Sequence, residues 1–288
     1  MTAGIPFAAI GEPVIAFETE EYLGVFKPAG THSVPSASGG TAPLDLVSWL
    51  RRELPERGSR IESSSDGGGP LAHRMRDELG MLSRLDVDTS GLILFARSEE
   101  VFLKCVEAQK RGQMRKFYRL VVARSASGEL SGSRPLRCPA PGIGPLLDFP
   151  AGLSGPLTIE SYFRSYGEKR ARVACVASEF RNDEKKPLSP ERYATTICCR
   201  GKSMVEEFSD MVPAVDVEAM IPSGFRHQIR AHLAWAGYPV VGDKLYGGIA
   251  ASRLHLESHR IEIALPGRDA LLFELYDPER PSGEFLWR

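Results

Sequence analysis

Hydrophobic and polar positions along the chain fall mostly into short runs of strand character. PVIAF at 13–17, YLGVF at 22–26, GLILFAR at 91–97, KFYRLVVA at 116–123 and LTIESYF at 157–163 are rich in β-branched and aromatic residues. So are ARVACVA at 171–177, YATTICC at 193–199, VDVEAMI at 215–221, RIEIAL at 260–265 and LLFELY at 271–276. Each predicts an extended segment. Three segments predict helices instead. The first follows Thr41, with Pro43 near its opening, and runs through LDLVSWLRREL; the second opens at Ser98, carries Glu99 and Glu100 in its first turn and runs to about Arg111. The third is FRHQIRAHLAWAG at 225–237, closed by Gly237. On it Arg226 and Arg230 lie about 40° apart and border the apolar stripe of Ile229, Leu233 and Ala236.

Strands that follow one another without regular helical crossovers predict an α+β fold on a mostly antiparallel sheet. Two stretches have loop composition, SSSDGGGP at 63–70 and RPLRCPAPGIGPLLDFPAG at 134–152. The second separates two lobes or is an insertion within one domain; both fit.

Composition narrows the function classes. The 36 basic and 37 acidic residues of the 288-residue chain give a net charge of −1, which excludes a diffusely basic protein that holds nucleic acid through bulk charge. The balance is uneven, however. Residues 104–124 carry seven bases against Glu107 alone, a local +6, and residues 206–218 carry five acids and no base, a local −5. The five cysteines, at 105, 138, 175, 198 and 199, form no CxxC pair and fit a reduced, cytoplasmic setting; the vicinal Cys198 and Cys199 read as small buried hydrophobes. The start of the chain lacks signal-peptide character, and apolar runs as short as LILFA do not span a bilayer, so no membrane association is expected. No spacing of Cys and His residues marks a metal site, and no glycine loop marks a nucleotide cofactor.

The most informative segment is Arg84-Leu85-Asp86-Val87-Asp88-Thr89-Ser90-Gly91, which runs into the apolar LILFA. An acid, two hydroxyls and a glycine before a strand make a tight turn that presents Asp86. Taken alone, Asp86 and Thr89 simply cap that turn.

Together with its neighbours the segment resembles the RLDxxTSG motif of the RluA-type pseudouridine synthases, which modify uridines in ribosomal and transfer RNA. FKPAG at 26–30 resembles that family's KPAG element, KFYRLVV at 116–122 its K-x-Y strand, and HQIRAHLAWAGYPVVGDKLYGG at 227–248 its HQIRxH helix and PxxGDxxYG loop. LHLESHRIEIALP at 254–266 is similar to its late LHA-type strand. Five ordered matches are far more specific than any one of them.

The resemblance implies a pseudouridine synthase fold, a mixed, mostly antiparallel central sheet flanked by a few helices and loops. It also implies one catalytic domain over 1–288, with its core at about 13–278, insertions near 52–82 and 134–152, and no separate N-terminal RNA-binding domain. It implies an RNA partner, no cofactor, no metal and a monomer. Isomerising uridine needs an ionised carboxylate, which Asp supplies at neutral pH, its unperturbed pKa being about 3.9. By the resemblance Asp86 is the nucleophile, attack at C6 and attack at C1′ both being open to it. Arg230 is the guanidinium that keeps a carboxylate charged and oriented, and Tyr118 is the aromatic that stacks the unstacked base or takes a proton. Arg84, Thr89, Lys116, Arg226, His227 and Gln228 are the RNA or substrate contacts.

Three features depart from the family pattern. Ser83 replaces a usual His, SGFRHQIR replaces TGRTHQIR so that Phe225 stands where an arginine is expected, and THSVPSASG lacks the His-Pro pair common there. Two rival readings exist. Asp86-Val87-Asp88-Thr89 also spells DxDxT, the nucleophile motif of magnesium-dependent haloacid-dehalogenase-like phosphatases, and a catalytically silent RNA-binding homologue would share the whole pattern. Gly242 and Asp243 read as a turn before Leu245 and Tyr246.

Overall fold

All ten extended runs become strands in the computed structural model, which describes residues 11–35, 45–55, 70–124, 155–177, 189, 191–207 and 210–275. These are β1 (Val14–Glu18), β2 (Tyr22–Lys27), β3 (Ser90–Ala96), β4 (Met114–Ala123), β5 (Leu157–Tyr166), β6 (Arg172–Val176), β7 (Tyr193–Glu207), β8 (Asp210–Ile221), β9 (Leu256–Ile263) and β10 (Leu271–Glu274). The described helices are α1 (Leu46–Glu53), α2 (Pro70–Asp77), α3 (Glu99–Lys110) and α4 (Gln228–Trp235).

Helix starts follow local chemistry. Asp45 caps α1 by accepting from the Ser48 amide at 2.9 Å, while the expected opening at Thr41 and Pro43 lies outside the described residues. Ser98 caps α3 as expected, accepting from the Val101 amide. Helix α2 was not expected; it begins at Pro70, whose fixed φ suits a first helical position, but PLAHRMRD has too few apolar residues to show a period. The rest of the loop at 63–70 and the whole stretch at 134–152 lie outside the described residues. Helix α4 opens at Gln228 rather than at Phe225, so Arg226 precedes it and shares no helix face with Arg230.

The chain forms two compact units, one of the residues up to Lys116 together with those from Glu257 onward, the other of Phe117–Leu256. In the first unit the strands run β1-β2-β3-β9. β1–β2 and β2–β3 are antiparallel, β3 meets the start of β9 in parallel through Ser90↔Glu257 and Gly91↔Ser258, and β10 pairs antiparallel with the end of β9. The result is mixed and mostly antiparallel. β2 and β3 are buried along their whole length, which is why each is mostly apolar, with Lys27 and Ser90 at their ends, instead of alternating. Gly91, at φ +119°, lets β3 touch β9, because a Cβ there would lie 2.1 Å from the Ser258 carbonyl oxygen.

In the second unit the order is β4-β8-β7-β5-β6, with β5–β6, β5–β7 and β7–β8 antiparallel. Cys198 and Cys199 on β7 are half-buried rather than enclosed, since this long hairpin strand is partly open to solvent along its length. Helix α4 packs on β5, β6 and β7, and all eight of its residues are buried. That leaves no solvent face for its polar side chains. His232, with no exposure, meets Ser161 Oγ through Nε2 at 3.0 Å and Thr195 Oγ1 through Nδ1 at 2.8 Å. Hydroxyls donate or accept as required, so they satisfy a neutral imidazole on both sides. Burial pushes the His232 pKa down to about 3.

An imidazole titrating near 6.5 when unfolded and near 3 when folded has a defined effect on acid stability. Below pH 6.5 the unfolded chain takes up a proton that the folded chain refuses, so stability falls by up to about 1.4 kcal/mol per pH unit between roughly pH 6 and pH 3. Urea unfolding at pH 7, 6, 5 and 4 should show the wild type losing ground to His232→Gln at that slope. A stability gap that does not change with pH would refute a buried neutral His232.

Candidate active site

Asp86 sits half-exposed in the loop that feeds β3, between buried Leu85 and a turn closed by the Thr89 amide donating to the Asp86 carbonyl at 3.1 Å. Thr89 and Ser90 are each 2% exposed, so the turn is anchored while the acid reaches solvent. The chain leaving β2 holds this loop from beneath. Gly30 N donates to the Val87 carbonyl at 2.8 Å, and Ser33 Oγ accepts from Leu85 N at 3.1 Å and donates to Leu85 O at 2.8 Å. Lys27 Nζ donates to the carbonyls of Pro28, Thr31 and Val87 at 2.9, 2.8 and 3.0 Å. Its side chain has no exposure; burial pushes its pKa down to about 7, against the opposing pull of the Asp86 and Asp88 carboxylates. The FKPAG motif by itself gives neither Lys27 nor Ser33 a part in the site. The signal that could have shown it was a lysine closing a strand of otherwise apolar residues.

The same geometry overturns the phosphatase reading of DxDxT. That chemistry needs the acid to follow a strand of a parallel sheet and lead to a helix, whereas Asp86 leads into β3, which lies antiparallel to β2. Arg84 is exposed and forms an ion pair with the carboxylate of buried Glu78.

Lys116 and Tyr118 stand two apart on β4 and therefore share a face. They are 4% and 6% exposed, and burial pushes the Lys116 pKa down to about 8. Lys116 ends the first unit and Tyr118 belongs to the second. The basic run around them is not the unbroken patch that its local charge of +6 suggests. Lys104 pairs with Glu100 at 2.6 Å, Arg111 with Glu107 at 2.9 Å and Arg115 with Glu262 at 3.8 Å, and Lys116 is buried. Two of those acids lie outside the window over which the charge was summed.

The second unit holds the other expected residues. His227 caps α4 in the left-handed region, at φ 56°, and its Nδ1 lies 3.1 Å from the Tyr246 hydroxyl. Gln228 is 2% exposed with its amide committed to protein partners: Oε1 accepts from Phe225 N at 2.9 Å, and Nε2 donates to Ala194 O at 2.8 Å and Thr195 Oγ1 at 3.2 Å. Phe225, where the family pattern has an arginine, stacks on Phe163 with centroids 5.0 Å apart and also meets Tyr193. Arg226 is exposed and donates to the carbonyls of Arg170 and Arg172.

Arg230 is 2% exposed and grips Asp243, itself fully buried, with Nε to Oδ2 at 2.7 Å and Nη2 to Oδ1 at 2.8 Å. This is the planar, two-bonded geometry that guanidinium and carboxylate favour. Asp243 Oδ1 also accepts from the amides of Leu245 and Tyr246, and the guanidinium carbon lies 5.5 Å from the centre of the Tyr246 ring. Gly242 makes the turn possible, since at φ +80° a Cβ would fall 1.9 Å from the Arg253 carbonyl oxygen. Asp243 does form the expected turn, but its pairing with Arg230 was missed. The signal lay in chemistry: an arginine on a buried helix needs a counter-charge, and the GD of PVVGDKLYGG carries the first acid after it.

Among the described residues no group of three or more His, Cys, Asp or Glu is placed to hold a metal ion. No described helix is long and apolar enough to cross a membrane. The Arg230–Asp243 pair yields a direct expectation. Asp243→Ala removes the two-bonded counter-charge of a buried guanidinium and should cost about 3–5 kcal/mol in urea unfolding, with Asp243→Asn, which keeps an acceptor in the turn, losing less. A loss under about 1 kcal/mol for Asp243→Ala would show that Arg230 does not depend on this acid.

A family model described as RNA pseudouridylate synthase matches residues 21–235. Ribosomal large subunit pseudouridine synthase D of Pseudomonas aeruginosa is 25% identical over 235 residues, covering 81% of this chain and 53% of the relative. tRNA pseudouridine synthase C of Vibrio cholerae is 25% identical over 247 residues, covering 84% and 78%. A protein of Chloroflexus aurantiacus named as an uncharacterized RNA pseudouridine synthase is 29% identical over 243 residues, covering 84% and 56%, so this chain spans little more than half of that relative's length. In fold, the human RNA pseudouridylate synthase domain containing 1 superposes with a TM-score of 0.59 at 19% identity, covering 94% of this chain and 86% of the other. The matched stretch takes in well over half of the sequence and includes the Asp86 loop, β4 and α4, and the chain belongs to the RNA pseudouridylate synthase family.

Proposed function

We propose that this chain isomerises uridine to pseudouridine in ribosomal or transfer RNA, with Asp86 as the nucleophile. The observation that carries the reading is a half-exposed carboxylate on a loop whose neighbouring backbone is hydrogen-bonded on both sides. In the reaction the bond from N1 to C1′ breaks, the base turns, a bond from C5 to C1′ forms, the C5 proton leaves and N1 takes one up. Atoms and electrons balance without an oxidant, a reductant or water. An ionised carboxylate is the group this chemistry asks for, and it forms and then releases a covalent bond to the nucleoside at C6 or C1′.

Tyr118 serves as the aromatic face that replaces the stacking lost when the base leaves its helix, or as acceptor of the C5 proton. Lys116, two residues earlier on the same strand face, adds positive charge beside it. Arg230 contributes its guanidinium; Asp243 engages two of the five N–H donors, and the resemblance assigns the group to the carboxylate chemistry. Arg226, exposed and bonded to backbone carbonyls, meets phosphate, and Arg84, exposed but paired with Glu78, does so by exchanging that carboxylate for a phosphate; Thr89, His227 and Gln228 are the further RNA or substrate contacts that the resemblance implies. Ribosomal and transfer RNA enter as substrate classes because relatives named for each resemble the chain equally.

RNA transcripts carrying uridine tritiated at C5 release tritium when C5 loses its hydrogen, which measures the reaction wherever in the RNA the target uridine lies. Wild-type chain with ribosomal and transfer RNA transcripts should release tritium. Asp86→Asn should lower release by at least about 1000-fold while RNA affinity stays within about threefold. Retained release in Asp86→Asn would remove Asp86 from the chemistry, and wild-type binding without release would mark an RNA-holding homologue.

A further inference from the structure

Every backbone carbonyl from residue 85 to residue 87 has a hydrogen-bond donor. Leu85 O accepts from Ser33 Oγ, Asp86 O from Thr89 N, and Val87 O from Gly30 N and Lys27 Nζ. Two of the three holds come from residues 27–33, more than fifty positions earlier in the chain. Ser33 does more than donate. Its hydroxyl has one proton and two lone pairs, and it uses them on both polar groups of one residue, giving its proton to Leu85 O and accepting from Leu85 N. That fixes the peptide groups on either side of Leu85, the residue immediately before Asp86.

Ser33 itself is 5% exposed and has no surface to offer RNA. With Leu85 held on one side and Val87 on the other, the backbone that carries Asp86 is restrained on both sides. Displacing a reacting group by about 1 Å can cost on the order of 100-fold in rate, so such a restraint on a nucleophile has kinetic weight.

We propose that Ser33 is a positioning residue for Asp86, with the ammonium of Lys27 as the matching hold on the far side of the loop. The inference rests on the reading of Asp86 as nucleophile. Ser33 touches no substrate; it acts through the Leu85 backbone.

Ser33→Ala, Ser33→Thr, Lys27→Met and Asp86→Asn full-length chains, with tritium release from ribosomal and transfer RNA transcripts tritiated at uridine C5 as the readout, test this directly. For Ser33→Ala, kcat should fall about 10- to 100-fold with KM within about twofold of wild type and a melting midpoint within a few degrees. Ser33→Thr, which keeps the hydroxyl, should recover most of kcat, and Lys27→Met should show the same split between kcat and KM. Should Ser33→Ala not fold, Lys27→Met decides. A folded Ser33→Ala or Lys27→Met with kcat within about twofold of wild type, or a loss carried entirely by KM, overturns the inference while Asp86→Asn remains dead. If wild type releases nothing or Asp86→Asn stays active, the reading of Asp86 fails first, and the inference falls with it.

Discussion

An ammonium group with no solvent exposure joins the end of β2 to the loop that carries Asp86. Removing a charge from water costs several kcal/mol unless its donors are satisfied, and Lys27 meets that cost with three backbone carbonyls instead of one carboxylate. The choice of partner has consequences for the site. Carbonyl dipoles hold the ammonium, and the Asp86 and Asp88 carboxylates favour its charged form through their field. The lysine therefore holds the loop through its backbone. Register supports this arrangement, because Lys27 pairs with Gly91 at the junction of β2 and β3, directly where the loop enters the sheet.

The second unit solves the corresponding problem differently. Helix α4 is enclosed on every side yet carries Gln228, Arg230 and His232, three polar residues that would each destabilise a buried helix if unpaired. Each has partners matched to its chemistry: an amide bonded to backbone and hydroxyl groups, a guanidinium gripped by Asp243, and a neutral imidazole between two hydroxyls. Asp243 is doubly placed, ordering the turn at Leu245 and Tyr246 while supplying the counter-charge. Tyr246 extends the network, since its hydroxyl bonds Val173 and lies beside His227. The strained left-handed conformation of His227 at the helix start is held by these surroundings.

What the sequence revealed and what it hid divide along local and non-local lines. All ten strands were legible because β-branched and aromatic runs bury a strand face whatever the partner. The start of α3 was legible because Ser98, Glu99 and Glu100 act within one turn. The Asp86 loop was legible only through its company, five motifs in order. The opening of α4 was misplaced because apolar Phe225 fits the helical period, yet in the fold it leaves the helix to stack on Phe163 of β5. The bonds from Lys27 to Val87, from Ser33 to Leu85 and from Asp243 to Arg230 escaped notice because they join residues 60, 52 and 13 positions apart, and no period or spacing links them.

Charge shows the same limit most sharply. A window sum treats residues 104–124 as strongly basic, but a helix places Glu100 and Glu107 one turn from Lys104 and Arg111, and those pairs cancel much of the charge that a phosphate would feel. Counterion release depends on cations that no carboxylate neutralises. Arg226 bonds in a way that preserves its charge: it donates to the carbonyls of Arg170 and Arg172, dipoles that orient the guanidinium without neutralising it. Those contacts also bring the backbone of two further arginines beside it. The replacement at Phe225 then has a physical sense, since that position joins the aromatic cluster of Phe163 and Tyr193, while the positive charge moves one residue along to a side chain that faces solvent.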